Sequence, residues 1–355
     1  MSAAANIRES SREFSRESSH QKSETNYSAT EEDGGDFEVS ADDAPAALGT
    51  PPPIHLRVPE NPDGTRIDLV IARLVPQFSR ARLQTWLDAG RISVDGVAAG
   101  ARTRLWGGEA LTIAPAPDAG QLAYAPEPLP LNIVYEDPDV IVINKPAGLV
   151  VHPAAGNWSG TLLNGLLHYA PQLSEVPRAG IVHRLDKDTS GLLVVAKTLE
   201  AQTALVRQLQ ARTVRREYLA LAAGRIERGG TIDAAIGRHP TQRTSMAVLA
   251  TGAPGAKHAV THYEPLACYA RGATLVRCCL ETGRTHQIRV HLRHAGHALV
   301  GDQVYGTAPA RSWFVRQALH AQTLAFDHPR NGRLSTHEAP PPQDMADLMR
   351  ELESE

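Results

Sequence analysis

The stretch Gly180-Ile181-Val182-His183-Arg184-Leu185-Asp186-Lys187-Asp188-Thr189-Ser190-Gly191-Leu192-Leu193-Val194-Val195-Ala196 changes character halfway along. Its middle gathers His183, Arg184, Asp186, Lys187 and Asp188, and its end, from Leu192 to Ala196, is wholly apolar. A short uninterrupted apolar run reads as a buried strand. A charged loop held against the end of such a strand is a usual place for catalytic groups. Asp186 stands between Arg184 and Lys187. A carboxylate among cations stays ionised, as a nucleophile or a base requires. A structural ion-pair turn uses the same residue types, and residue types alone do not separate the two.

Outward from this stretch, Ile133–Tyr135 and Val140–Ile143 are strand-like, separated by the turn Glu136-Asp137-Pro138-Asp139. Residues 199–212 have helical spacing, with Ala201, Ala204, Leu205 and Leu209 on one side. Tyr218–Leu221 and Thr274–Leu280 read as strands. Residues 285–295 return to helical spacing and stop at Gly296. Turns and long excursions join these strands, not regular βαβ repeats. The reading is therefore an α+β domain over 131–345, a mixed and mostly antiparallel sheet flanked by helices.

Residues 54–115 read as a separate module. Ile67, Val70, Ile71 and Leu74 keep helical spacing, and Pro76 ends that helix. Ser79 is a good N-cap for a second helix through Ala89, with Leu83, Trp86 and Leu87 on one face and Arg80 and Arg82 at its start. Gly90 is a stop, and Ile92–Val94 followed by Asp95-Gly96 predicts a strand and a tight turn. The run SRARLQTWLDAGRISVDG resembles the S4 RNA-binding module, which implies RNA contact for Arg80 and Arg82.

Residues 1–53, closed by Pro51-Pro52-Pro53, are rich in Ser, Glu and Arg and nearly empty of aliphatics, so a disordered acidic tail is expected. Residues 116–130 are a Pro-rich linker, and 346–355 read as an acidic C-terminal tail. Charge follows this division. The chain has 355 residues and a net charge of −3, but residues 1–50 hold 11 acids and 4 bases, and 338–355 hold 6 acids and 1 base. The remaining 22 acids and 31 bases leave a basic core, the electrostatic footprint of a nucleic-acid partner. The excess of Arg, 31 against 5 Lys, also fits a compositional bias of the genome.

No stretch approaches the roughly 18 apolar residues that a membrane helix needs. The N-terminus has no apolar signal segment. Three cysteines without a C-x-x-C argue against a disulfide framework and a structural zinc site. A cytoplasmic protein with no membrane partner is expected.

Four segments, AGIVHRLDKDTSGLLVVAK (179–197), VINKPAGLVVHP (142–153), RREYLAL (215–221) and LETGRTHQIRVHL (280–292), closely resemble the signatures of the RluA-type pseudouridine synthases, in the family's order. The resemblance covers about residues 55–350. It implies the pseudouridine synthase fold and an isomerase that needs neither cofactor nor metal. Asp186 matches the catalytic aspartate, Tyr218 the active-site tyrosine and Arg289 the arginine that pairs with the aspartate. Arg184 matches a position that contacts RNA beside the extruded base. Lys145, His183 and Arg284 fall in the same motifs and are assigned to the RNA-binding set. Further stretches, among them HPTQRTSMAV and ALVGDQVYG, are similar to members acting on large-subunit RNA. The implied partner is 23S rRNA or the large-subunit precursor, bound by a monomer with no small-molecule cofactor.

Competing readings were a non-catalytic RNA-binding protein and a family member acting on other rRNA or tRNA uridines. The histidines His286, His291, His294 and His297 invite a metal site, but no H-E-x-x-H accompanies them and Arg289 and Arg293 would repel a cation. Asp186 and Asp188 are too close in sequence, with a cation between them, to flank a sugar as a glycosidase pair does.

Overall fold

The computed structural model describes residues 52–60, 64–116, 123–154, 157–242 and 245–354. The tail expected over 1–53 lies outside these residues except for its last two positions, as do positions 117–122 of the linker.

The N-terminal module consists of β1 (Ile54–Arg57), β2 (Thr65–Arg66), α1 (Ile67–Leu74), α2 (Arg80–Asp88), β3 (Ile92–Val94), β4 (Val97–Ala98), β5 (Arg104–Leu105) and β6 (Ala110–Ile113). Four strands form a sheet in the order β1-β6-β3-β4. Ile67, Ile71, Leu83, Trp86, Leu87, Leu105, Leu111 and Ile113 close a core of their own between helices and sheet. Ser79 caps α2, its hydroxyl accepting the Arg82 N–H at 3.3 Å. Asp95 and Gly96 take φ of 49° and 82°, the pair of left-handed residues that a two-residue type I′ hairpin requires.

The larger domain follows as β7 (Ile133–Glu136), β8 (Val140–Lys145), α3 (Leu162–Tyr169), β9 (Ser190–Ala196), α4 (Leu199–Gln210), β10 (Arg215–Ala223), β11 (Gly230–Asp233), β12 (Ile236–Arg238), β13 (Met246–Val248), β14 (Val260–Tyr269), β15 (Ala273–Leu280), α5 (Gln287–His294), α6 (Ala308–Ser312), β16 (Leu319–Asp327), β17 (Leu334–Glu338) and α7 (Gln343–Ser354). The main sheet runs β11-β14-β15-β10-β16-β9-β8-β7, with β17 also on β16. It is the mixed, mostly antiparallel sheet the sequence suggests. Its parallel pair is short: His320 opposite Ser190 and Ala321 opposite Gly191.

That pair sets the geometry of the site. Gly191, Ala321, Tyr218 and Cys278 are successive partners across β9, β16, β10 and β15. The row carries Tyr218 to the place where the charged loop enters β9. Gly191 has φ 117°, and a Cβ there would lie 2.2 Å from the Ala321 carbonyl oxygen, so the strands approach this closely because the residue is glycine. On the other side of the loop, Arg178, Ala179 and Gly180 are left-handed in succession, with φ of 55°, 50° and 77°. Each non-glycine residue in that conformation costs about 1–2 kcal/mol. The bend lets Gly180 press onto β9, where a Cβ would meet Ala196 O at 1.8 Å, and aligns Ile181 with Val195.

The structure departs from the sequence reading in several places. The C-terminus is not a tail from 346: α7 continues to Ser354 and buries Met345, Leu348 and Leu352 against Leu219, Leu221 and Leu275. Its acidic residues lie on the other face of an amphipathic helix. The strands β11–β14, β16 and β17 and the helices α3 and α6 go beyond the elements that the sequence suggests. α3 is announced by a capping box in which Thr161 and Asn164 exchange hydrogen bonds, with Asn in place of the usual Glu or Gln.

Candidate active site

The loop from Arg184 to Thr189 is anchored mainly through its backbone. Thr189 N–H donates to Asp186 O at 3.1 Å and closes a turn. Lys145, at the end of β8, has no exposed surface and donates to Pro146 O, Leu149 O and Lys187 O at 2.8, 2.9 and 2.9 Å. Three carbonyls match the three N–H donors of an ammonium. Burial pushes Lys145 down to about 7, against the attraction of Asp186 and Asp188. Arg316 donates to Asp188 O at 3.1 Å while its fork holds Asp344 at the start of α7. Ser190 Oγ lies 3.0 Å from His320 Nδ1.

With the backbone fixed, the side chain of Asp186 stays 15% exposed, and its Oδ2 accepts from Arg289 Nη1 at 3.0 Å. Arg289, on α5, is itself buried. Its Nε and Nη2 fork onto Asp302 at 2.7 and 2.9 Å, and its guanidinium lies 5.0 Å from the centre of the Tyr305 ring. Asp302 is fully buried and also accepts the Val304 and Tyr305 N–H groups. These bonds hold Asp302 below the usual carboxylate range against the cost of its burial. Burial lowers the Arg289 pKa, but its two carboxylate partners more than reverse that and keep the guanidinium charged.

Tyr218 is buried in the sheet. Burial pushes its hydroxyl up to about 12, with the Asp186 charge adding to the rise and Arg216 opposing it. The Asp186 carboxylate thus stands between the Arg289 guanidinium, bonded to it, and Tyr218, whose hydroxyl feels its charge. His286 joins them. It precedes α5 in the left-handed region, its Nδ1 is 2.8 Å from Tyr305 Oη, and its Nε2 is 4.0 Å from Asp186 Oδ1. By sequence His286 is a candidate metal ligand only; the structure places it beside Asp186 instead. The signal available was its place three residues before Arg289.

The remaining RNA-binding candidates are placed variously. Arg184 is exposed at the mouth of the loop. His183 points inward: Val194 N–H donates to its Nε2 at 3.1 Å, and burial with Arg216 nearby pushes it down to about 3. Arg284 Nε donates to His258 O at 3.1 Å, in the turn before α5. Arg80 and Arg82 open α2 in the N-terminal module and are not part of this site. The histidines read as possible ligands are dispersed: His291 bridges Thr261 and Ala234, and His297 lies against Ala223 O. Among the described residues, metal-type donors converge at Asp137, Asp139 and His328, where Arg330 forks onto Asp139 and His328 pairs with Asp137.

A partly exposed carboxylate, oriented by a buried arginine and beside an imidazole, can act as a nucleophile or a base. Comparison with known proteins identifies the chain's relatives. Residues 139–294 match the family described as RNA pseudouridylate synthase. The chain is 51% identical over 330 residues to the ribosomal large subunit pseudouridine synthase D of Nitrosomonas europaea, covering 91% of this chain and 94% of that protein. It is 48% identical over 342 residues to the protein of the same name from Neisseria meningitidis serogroup B, covering 94% and 87%. Among solved structures, Human RNA Pseudouridylate Synthase Domain Containing 1 is 30% identical with a TM-score of 0.48, covering 64% of this chain and 96% of that one. Near-full-length identity of this order means that the chain belongs to the RNA pseudouridylate synthase family.

Proposed function

We propose that this chain isomerises uridine to pseudouridine in the 23S rRNA of the large ribosomal subunit. The observation that carries the reading is the Asp186 carboxylate, held at 3.0 Å by a buried arginine yet open to a substrate. The names of its relatives supply the RNA. The reaction breaks the N1–C1′ bond of uridine, turns the base and rejoins it through C5. A base inside a helix must first be flipped out, at a cost of a few kcal/mol.

In this reading Asp186 is the catalytic carboxylate, acting by attack on the sugar or base or by deprotonation at C2′. Arg289 orients it. Tyr218 stacks on the flipped uracil, and Arg184 fills the space the base leaves. Lys145 and His183 act from beneath, holding the loop that presents Asp186. Arg284, with Arg80 and Arg82 of the S4-like module over 54–115, engages the RNA backbone, positioning the substrate without specifying the base. One copy of the chain suffices, working in the cytoplasm on the rRNA or its precursor particle.

Pseudouridines are mapped by carbodiimide treatment and primer extension on 23S rRNA from cells with and without the gene. Stops at discrete large-subunit uridines that vanish with the gene are expected. An unchanged 23S map, with losses in tRNA or small-subunit RNA, would reassign the substrate. No loss anywhere would leave an RNA-binding role.

A further inference from the structure

We propose that His286 is the proton carrier of this isomerisation, its Nε2 taking the proton that C5 of the rotated uracil must lose and delivering it to N1. The proposal rests on the pseudouridine synthase reading and concerns a step after cleavage. When C5 has bonded to C1′, it carries both the sugar and its original hydrogen, and the ring holds a C6=N1 double bond. Loss of the C5 proton lets the C5–H electron pair become the C5=C6 bond. The C6=N1 pair withdraws to N1, and N1 takes a proton. The net change moves one proton from C5 to N1, with no oxidant or reductant.

A carrier must be able to accept a proton at neutral pH and to give it up again. Arg184 and Arg289 have no lone pair to offer. The Tyr218 hydroxyl, held at about 12, gives up its own proton reluctantly. Asp186 is committed to the cleavage step and to Arg289. His286 is the remaining group at the site whose chemistry fits both tasks.

Its geometry is built for the task. The residue sits at φ 58°, ψ 21°, a left-handed conformation that costs a non-glycine residue about 1–2 kcal/mol. Strain of this kind persists where the surroundings impose it. Tyr305 holds the ring here: its Oη lies 2.8 Å from His286 Nδ1 and accepts the Met246 N–H at 2.8 Å. In the tautomer that this role requires, Nδ1–H is donated to Tyr305 Oη and the Nε2 lone pair lies on the side of Asp186 Oδ1, 4.0 Å away; the side chain remains 22% exposed. That gap is too long for a direct hydrogen bond. The groups around the ring act in opposite senses. Burial, Arg289 and Arg184 favour the neutral imidazole, while Asp186 and Asp302 favour the imidazolium. The resting ring is therefore neutral, and the transient cation has an anion beside it.

His286→Asn is the discriminating substitution. Asn tolerates the left-handed region and keeps a polar atom near the Nδ1 position for Tyr305, but has nothing at Nε2. Pseudouridine formation is measured on rRNA transcripts carrying hydrogen or deuterium at C5 of uridine. Turnover is expected to fall about 100-fold or more, within the range for losing one acid–base group, and the isotope effect is expected to rise well above the wild-type value because C5 deprotonation has become slow. If His286→Asn does not fold, Tyr305→Phe keeps the ring over Arg289, frees the imidazole, and is expected to raise the isotope effect in the same direction. Turnover close to wild type, or a loss of turnover with an unchanged isotope effect, would overturn the proposal. A wild-type enzyme forming no pseudouridine would overturn the underlying reading as well, whereas a working wild type with an indifferent His286→Asn variant removes only the role of His286.

Discussion

Arg289 meets Asp186 with one nitrogen, Nη1, and keeps the other two for the buried Asp302. The division matters. The fork on Asp302 fixes the plane of the guanidinium, and the single bond to Asp186 leaves Oδ1 of that carboxylate uncommitted to Arg289. An arginine forked onto Asp186 would have consumed both oxygens.

Asp186→Asn is nearly isosteric and removes the charge. It is expected to abolish pseudouridine formation, assayed by nucleoside chromatography. RNA affinity by filter binding should stay within about tenfold, because phosphate contacts elsewhere dominate affinity. An active Asp186→Asn protein would end the assignment.

Asp302→Asn tests the other half of the relationship. Breaking a buried pair by removing one partner costs about 3–5 kcal/mol. The midpoint of chemical denaturation should drop accordingly, with activity falling further in the fraction that stays folded as Arg289 loses its orientation. Stability indistinguishable from wild type would show that Arg289 does not depend on this clamp.

Two glycine substitutions should behave differently. Gly191→Ala places a methyl 2.2 Å from Ala321 O at φ 117°. It should cost about 3 kcal/mol or more, conformational strain and overpacking together. Gly296 also has positive φ, 91°, but nothing lies within 4 Å of its would-be Cβ, so Gly296→Ala should cost about 1–2 kcal/mol. Thermal melts of the two variants side by side check the order.

His183 sets a pH dependence. Its folded pKa, about 3, lies below its unfolded value of about 6.5. The unfolded chain therefore binds the proton first as pH falls. The stabilisation from His183 is complete above about pH 6.5 and is lost between there and about pH 3, at up to about 1.4 kcal/mol per pH unit. His183→Gln retains an acceptor for the Val194 N–H and removes the titration. Urea unfolding between pH 6 and 4 should give a shallower decline for the variant, and parallel curves would refute the linkage.

Arg80→Ala combined with Arg82→Ala leaves the α2 N-cap at Ser79 in place. Affinity for rRNA fragments should weaken, and the slope of log affinity against log salt should shrink by up to about two if both contact phosphate. Turnover on a short hairpin at saturation should be preserved. An unchanged salt slope would place the RNA on another surface.

The sheet class and the site were legible for different reasons. β8 and β9 contain continuous apolar runs, Val140–Ile143 and Leu192–Ala196, which buried strands require and which need no knowledge of their neighbours. Asp186, Tyr218 and Arg289 were found through motifs, since nothing in their spacing places residues 186 and 289 at 3.0 Å. β16 was missed because His320, Gln322 and Thr323 interrupt its apolar pattern, and the burial of His320 depends on partners at Ser190 and Ala339. α7 was read as a tail because its acids outnumber its bases, although Met345, Leu348 and Leu352 already keep helical spacing. His286 was passed over because its value lies in a left-handed backbone and in Tyr305, nineteen residues on.

The short parallel pairing of Ser190–Gly191 with His320–Ala321 joins positions 130 residues apart, and Arg316 and Asp344 tie the same loop to the last helix. During synthesis, the loop bearing Asp186 emerges long before the strand and helix that shape it. A nascent chain released early carries every signature segment but lacks the scaffold that aims the carboxylate. The carboxylate is therefore expected to be aimed only once α7 has been made, and a chain cut after Asn331 should be silent although Asp186, Tyr218 and Arg289 all precede the cut.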